Sequence, residues 1–217
     1  MKKSRKPTKT GEKKKMGIKT DEVIEYWRDR AEQSKSAAVG FDAKNLTKQD
    51  ERYGERNEFL FGPIDTSIHT LDYGCGIGRY SSMFDNYLGV DITLELLKIA
   101  KRNNPTKKYM QLSHPFLTKT HKDYSKVAQI ITTTVLQHCE DKLVQIIFDS
   151  MFEHIKQKGL VFSIYEKDDG ISKPHVASRS PVQYGQMIQE AGYVAKFMEN
   201  KSHMIHGEKH TLTIIGV

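Results

Sequence analysis

From residue 68 onward, short apolar runs alternate with stretches of helical periodicity, the pattern of βαβ units around a mostly parallel sheet. Strands are predicted at residues 68–73, 87–91, about 108–112, 127–133 and 160–165. A glycine-rich turn follows the first strand, with a helix expected from there to about Phe84. Thr93 caps a helix through Leu94, Leu97 and Ala100 that ends before Pro105. A stronger helix is predicted over 141–158, with Leu143, Val144, Ile147, Phe148, Met151, Phe152 and Ile155 on one face and Gly159 at its end. Ser180-Pro181-Val182-Gln183 reads as a capping box with proline at the first helical position, opening a helix to Gly192. Two last strands, about 193–200 and 209–217, flank a turn at His206-Gly207, and so short a connection makes them antiparallel.

The N-terminal third follows a different pattern. Thr20 can cap an amphipathic helix over roughly 21–35, in which Val23, Ile24, Trp27, Ala31 and Ser34 share a face. A second helix at 52–61 would stop at Gly62-Pro63. The expectation is an α/β doubly wound fold: a seven-stranded, mostly parallel sheet with an antiparallel C-terminal strand pair and an N-terminal helical cap. Three segments follow: a disordered basic tail (1–19), the helical cap (20–66) and a ligand-binding α/β domain (67–217).

Charge changes this picture only at one end. The net charge of +7 comes from residues 1–19, which carry nine Lys or Arg against Glu12 alone, leaving 25 basic and 26 acidic residues elsewhere. The basicity therefore belongs to the tail, which has too little apolar content to fold and can bind a polyanion or stay solvated. No apolar run is long enough to span a membrane, and the lysine-rich start is not a secretory signal. Two cysteines, Cys75 and Cys139, are too few for a disulfide framework. The cytoplasm is the expected compartment, with no membrane partner.

The most informative segment is Leu71-Asp72-Tyr73-Gly74-Cys75-Gly76-Ile77-Gly78. A strand ends near an acid, and three glycines at alternate positions open the next turn. Backbone there can approach a ligand because no Cβ intervenes, and ligands of open α/β sheets sit at such strand ends. A dinucleotide site uses G-x-G-x-x-G to hold a pyrophosphate. Here the spacing is G-x-G-x-G, and Asp72 would repel a pyrophosphate. The charge pattern favours a cationic sulfonium nucleoside, S-adenosylmethionine. Asp91, closing the second strand, can accept the hydroxyls of a ribose; its alternative is a turn or cap residue before Thr93.

Asp72-x-Gly74-x-Gly76-x-Gly78 together with Asp91 resembles the first two motifs of the class I S-adenosylmethionine-dependent methyltransferases, and the resemblance extends over about residues 68–217. It implies that the glycine turn, with Cys75, contacts the methionine part of the cofactor, that Asp72 lies near its amino group or methyl donor, that Asp91 meets the ribose, and that Ile92 is a further cofactor contact. The family often has an acid after the third strand; this chain has Gln111-Leu112-Ser113-His114, which leaves Ser113 or His114 for the adenine. Thr133-Thr134-Val135-Leu136-Gln137-His138 resembles a segment of the small-molecule enzymes, with Thr133 and Thr134 offering backbone groups to the cofactor amine and Leu136 packing on the adenine or the active-site wall.

Methyl transfer to nitrogen or oxygen can need a base. His138, after the fourth strand, is the catalytic candidate; the alternative is a histidine that only bonds backbone. Glu166, Arg179 and Tyr184, with His175, are candidates for substrate contact, against readings as a solvated acid and a capped helix start. Tyr26, Trp27 and Arg28 of the cap can reach cofactor or substrate, or Trp27 can serve the core. His203, His206 and His210 lack the cysteine or acid set of a metal site, and none is expected. The chain has no Asp/Asn-Pro-Pro-aromatic segment after the fourth strand and no Pro-Cys pair, so base-flipping DNA chemistry is disfavoured. A small-molecule acceptor is expected first, RNA or DNA recruited through residues 1–19 second, and an inactive cofactor-binding subunit third.

Overall fold

A computed structural model of the chain describes residues 22, 25–29, 56–155, 157–168, 177, 179–205 and 207–217. The basic tail, His175 and His206 lie outside the described residues, as do Thr20, Val23, Ile24 and all of residues 30–55.

Seven strands form one sheet: β1 (Thr70–Tyr73), β2 (Tyr87–Asp91), β3 (Lys108–Gln111), β4 (Gln129–Thr133), β5 (Val161–Asp168), β6 (Phe197–Ile205) and β7 (Glu208–Gly216). Their order is β3-β2-β1-β4-β5-β7-β6. The first five run parallel, while β7 is antiparallel to both β5 and β6. Strand order reverses beside β1, so the crevice between the carboxyl ends of β1 and β4 is the topological switch point where such sheets bind ligands.

Strand alternation divides the core into two layers. Leu71, Val90, Ile130, Phe162 and Ile164 pack on one face against α2 (Asp141–His154) and α3 (Pro181–Glu190). Ile131, Tyr165, Leu212 and Ile214 point to the other face, with Tyr80, Phe84, Tyr87, Leu60 and Phe61. Leu97 of α1 (Leu94–Asn103) joins that second layer. Residues 56–61 are helical, as are the described residues 22 and 25–29. The capping box of α3 forms as its sequence requires: Ser180 Oγ accepts from the Gln183 amide, and Gln183 Oε1 accepts from Ser180 N at 2.9 Å.

Three expectations shift. The helix expected after the glycine turn is a single 3-10 turn, Ser81–Met83. Ser81 Oγ donates back to Gly78 O at 2.6 Å, a local bond that competes with helix propagation, and Phe84 leaves in extended conformation to reach the core. The strong helix ends at His154, with Ile155 buried just beyond it. The strand expected at 193–200 runs from Phe197 to Ile205. It is a sheet edge exposed along almost its whole length, so its polar run Glu199–His203 carries no apolar alternation to mark it.

Candidate functional site

The glycine turn is built as the sequence demands. Gly74, Gly76 and Gly78 have φ of 76°, 54° and 69°, values that cost any other residue about 1–2 kcal/mol. Close approach is also real, but its partners at two of the three positions are protein. A Cβ on Gly74 would stand 2.4 Å from Val135 Cγ2, and one on Gly78 would stand 2.7 Å from Tyr109 Oη and 2.9 Å from Ala100 Cβ. The turn is thus wedged between the segment after β4 and the β3 side. Gly74 and Cys75 both donate to Val90 O, at 2.9 and 3.0 Å, which latches the turn onto β2.

Two buried carboxylates flank it. Asp91 is held by three elements at once: Gly76 N donates to Oδ2 at 2.9 Å, Thr93 N donates to Oδ1 at 2.8 Å, and the strand delivers the side chain. The Asp91 position therefore serves as turn organiser and helix-start ligand in the same bonds. Burial still pushes its carboxyl above the usual range. Asp72 is 2% exposed and accepts from Tyr87 Oη at 2.6 Å. Burial, opposed by the tyrosine hydroxyl and reinforced by the Asp91 charge, raises it to about 7. Among the described residues neither carboxylate has a cationic partner within salt-bridge distance.

Tyr87 was not legible as a site residue. It lies diagonal to Asp72 on the same sheet face, because Asp72 pairs with Gly89. Gly89 was the available signal: a Cβ there would meet Cys75 Sγ at 2.8 Å and the Tyr87 ring at 3.0 Å. Cys75 itself is buried, and burial together with Asp72 drives its thiol well up, so it is not a nucleophile.

On the β3 side, Leu112 N donates to Asp91 O and Gln111 Nε2 donates to Ile92 O at 3.2 Å, which holds the segment leading to Ser113 against the end of β2. Ser113 is exposed, with Oγ 3.1 Å from His114 Nδ1, while Ile92 is half-buried against the core. On the β4 side, Thr133 ends the strand opposite Tyr165. Thr134 then adopts φ 56°, a β-branched residue in the left-handed region, with its N–H on Tyr165 O at 2.8 Å. Backbone strain of this kind clusters at binding sites, and this one sits at the switch point beside the glycine turn.

His138 lies on the 3-10 turn Leu136–His138, half-buried, with the Trp27 ring edge-on at 5.2 Å. The N-terminal helix therefore does reach the loop after β4. Tyr26 packs on Trp27 at 5.2 Å, and Arg28 is exposed.

Glu166, Arg179 and Tyr184 are gathered into one cluster, but its polar atoms face protein. Tyr184 Oη donates to Glu166 Oε1, and the tyrosine is 1% exposed. Burial raises the Glu166 carboxyl to about 7 against the opposing pull of Tyr184 and Arg179. Arg179 donates from Nε to Asp141 Oδ1 at 2.9 Å, from Nη1 to Leu136 O at 2.8 Å and from Nη2 to Cys139 O at 2.5 Å. Cys139 is buried, and its thiol is pushed up to about 12.

His203 and His210 are cross-strand partners in β6 and β7. His210 is 3% exposed and bonded to Tyr165 Oη, while His203 stacks on Phe59 at 6.1 Å. No group of three metal-ligating side chains occurs among the described residues.

Residues 71–163 match the family model described as a methyltransferase domain. An uncharacterized protein of Methanocaldococcus jannaschii is 36% identical over 85 residues, which cover 39% of this chain and 33% of that relative's length. Among solved structures, an S-adenosylmethionine-dependent methyltransferase from Archaeoglobus fulgidus superposes with a TM-score of 0.58 at 11% identity, covering 81% of this chain and 100% of that one. Geranyl diphosphate methyltransferase, solved with geranyl diphosphate and sinefungin, gives 0.58 at 12% identity over 90% and 98% of the two chains. The glycine turn and the two acids lie inside the stretch that matches the methyltransferase domain, and the sheet around them shares the fold of these S-adenosylmethionine-dependent methyltransferase structures.

Proposed function

We propose that the protein transfers the methyl group of S-adenosylmethionine to a nitrogen or oxygen of a small molecule. The observation that carries the cofactor reading is the pair of buried carboxylates, Asp72 and Asp91, left without a described cation on either side of a turn at the ligand edge of the sheet. A sulfonium nucleoside with an ammonium group has the charge that such a site lacks. The donor set fits it: Asp91 for the ribose, the glycine turn and Thr133-Thr134 for the amino-acid end, and Ile92 and Ser113 at the adenine end. Bound there, the cofactor supplies an activated methyl group. The protein's part is to hold it in line with the acceptor and exclude water, and such alignment accounts for much of the rate in displacements of this kind. In this reading His138, on the turn after β4 and packed against Trp27, takes the acceptor's proton.

The small-molecule reading draws support from the half-buried His138 packed under Trp27 and from geranyl diphosphate methyltransferase among the structural relatives. A nucleic-acid acceptor is the second reading, favoured by the nine basic residues within positions 1–19. Incubation with radiolabelled S-adenosylmethionine and fractionated lysate, split between nuclease and protease treatment, separates them. Label that survives both treatments in a low-mass fraction supports the first reading. Label lost with nuclease, and lost again on deleting residues 1–19, replaces it with the second.

A further inference from the structure

We infer that Arg179 is a positioning residue, whose guanidinium holds the loop 136–139 against the glycine turn and thereby sets His138 and Thr134 in place; the inference rests on the methyltransferase reading of this edge. Three of the four loop carbonyls are tied to one short stretch before α3. Leu136 O and Cys139 O accept from Arg179, and Gln137 O accepts from Ala177 N at 2.7 Å. The end of β5 adds a fourth tie, Lys167 N to Gln137 Oε1 at 2.9 Å. The same loop continues from Val135, whose methyl groups occupy the space a Cβ on Gly74 would need. A displacement of the loop is therefore transmitted directly to the cofactor turn.

The choice of arginine follows from geometry. Two carbonyls and the Asp141 carboxylate are bonded at once by one planar fork, which an ammonium cannot span. The Arg179 side chain is 1% exposed and lies over the Tyr184 ring at 5.9 Å, so it is held in one orientation and is not open to a substrate. Glu166 and Tyr184 complete its seat. The role differs from direct substrate contact, which is the sequence-level expectation for this residue.

Two readouts test it in the full chain. Trp27 is the chain's one tryptophan and packs on His138, so acrylamide quenching of its emission reports the loop without any ligand. S-adenosylhomocysteine titrated by calorimetry reports the cofactor side. Arg179→Met is expected to weaken that affinity at least about tenfold and to make Trp27 markedly more quenchable, at a temperature where far-ultraviolet circular dichroism matches the wild type. Arg179→Lys, which keeps the charge and most of the volume, is expected to fall between the two and covers the case in which the methionine variant does not fold. Wild-type quenching and affinity in both variants would overturn the inference. Failure of the wild type itself to bind S-adenosylhomocysteine would count against the methyltransferase reading, while Trp27 quenching would still decide the role of Arg179.

Discussion

The two sides of this site are built in opposite ways. On the β1–β2 side, the geometry is written into backbone: three left-handed glycines, amides aimed at Asp91, and a turn latched to Val90 O. Every participant lies within about 22 residues of sequence, from Asp72 to Thr93. On the β4–β5 side, the geometry rests on side chains brought from far apart, with Arg179 reaching back 43 residues to Leu136 and 38 to Asp141, and Tyr184 reaching 18 to Glu166. The first side tolerates almost no change of residue type. The second tolerates changes that preserve shape and hydrogen bonding, because its bonds depend on the side chain delivered and not on a rare backbone conformation.

Gly74→Ala tests the rigid side most severely. The new Cβ must adopt φ near 76° and displace Val135 from 2.4 Å. The conformational cost of about 1–2 kcal/mol and an overpacking cost of about 1–3 kcal/mol together lower Tm by roughly 5–15 °C. Gly159→Ala separates the two contributions, since Gly159 has nearly the same φ, 75°, and nothing within 4 Å of its Cβ position. It is expected to lose only a few degrees. Equal losses at the two glycines, measured by thermal denaturation, would show that close approach at the turn contributes nothing. Asp91→Asn comes next. It removes one of two acceptor oxygens from the Gly76 and Thr93 amides but also removes a charge that burial disfavours, so stability changes little. Affinity for S-adenosylmethionine is expected to fall by roughly 10–100-fold. An unchanged Kd by calorimetry would remove Asp91 from the cofactor site.

This asymmetry also explains what could be read in the chain before its structure. The strands, the antiparallel C-terminal pair and the glycine turn follow from periodicity and from residues whose meaning is conformational, so local sequence suffices for them, while the order of the strands in the sheet is set by tertiary packing. The 3-10 turn at Ser81–Met83 was hidden because a serine bonding back to a carbonyl three residues away overrides a pattern that otherwise reads as helix. β6 was displaced because an exposed edge needs no alternation. Arg179, Tyr184 and Glu166 were picked out by their polarity within a plausible segment, yet polarity does not say whether a guanidinium meets a ligand or two backbone carbonyls. Tyr87 gave no polar signal of its own. Its bond to Asp72 depends on strand register and on the absence of a side chain at Gly89.

The smallest expected effect belongs to Glu166→Gln, on the tolerant side. The carboxyl moves from an ordinary value near 4.5 to about 7 on folding, chiefly through burial. Between those values the folded state binds the proton that the unfolded chain has released, so stability falls as pH rises from about 4.5 to about 7 and is level above that. Glutamine cannot ionise, and its Oε1 still accepts from Tyr184. The variant should therefore match the wild type at about pH 4.5 and exceed its Tm by a few degrees at about pH 8. Asp72, also raised to about 7, imposes a fall of the same sign in both proteins and cancels from the difference. A variant less stable than wild type at high pH would mean that the Glu166 charge is needed where it stands, to pair with Arg179, and the tolerant side would then be as strictly specified as the glycine turn.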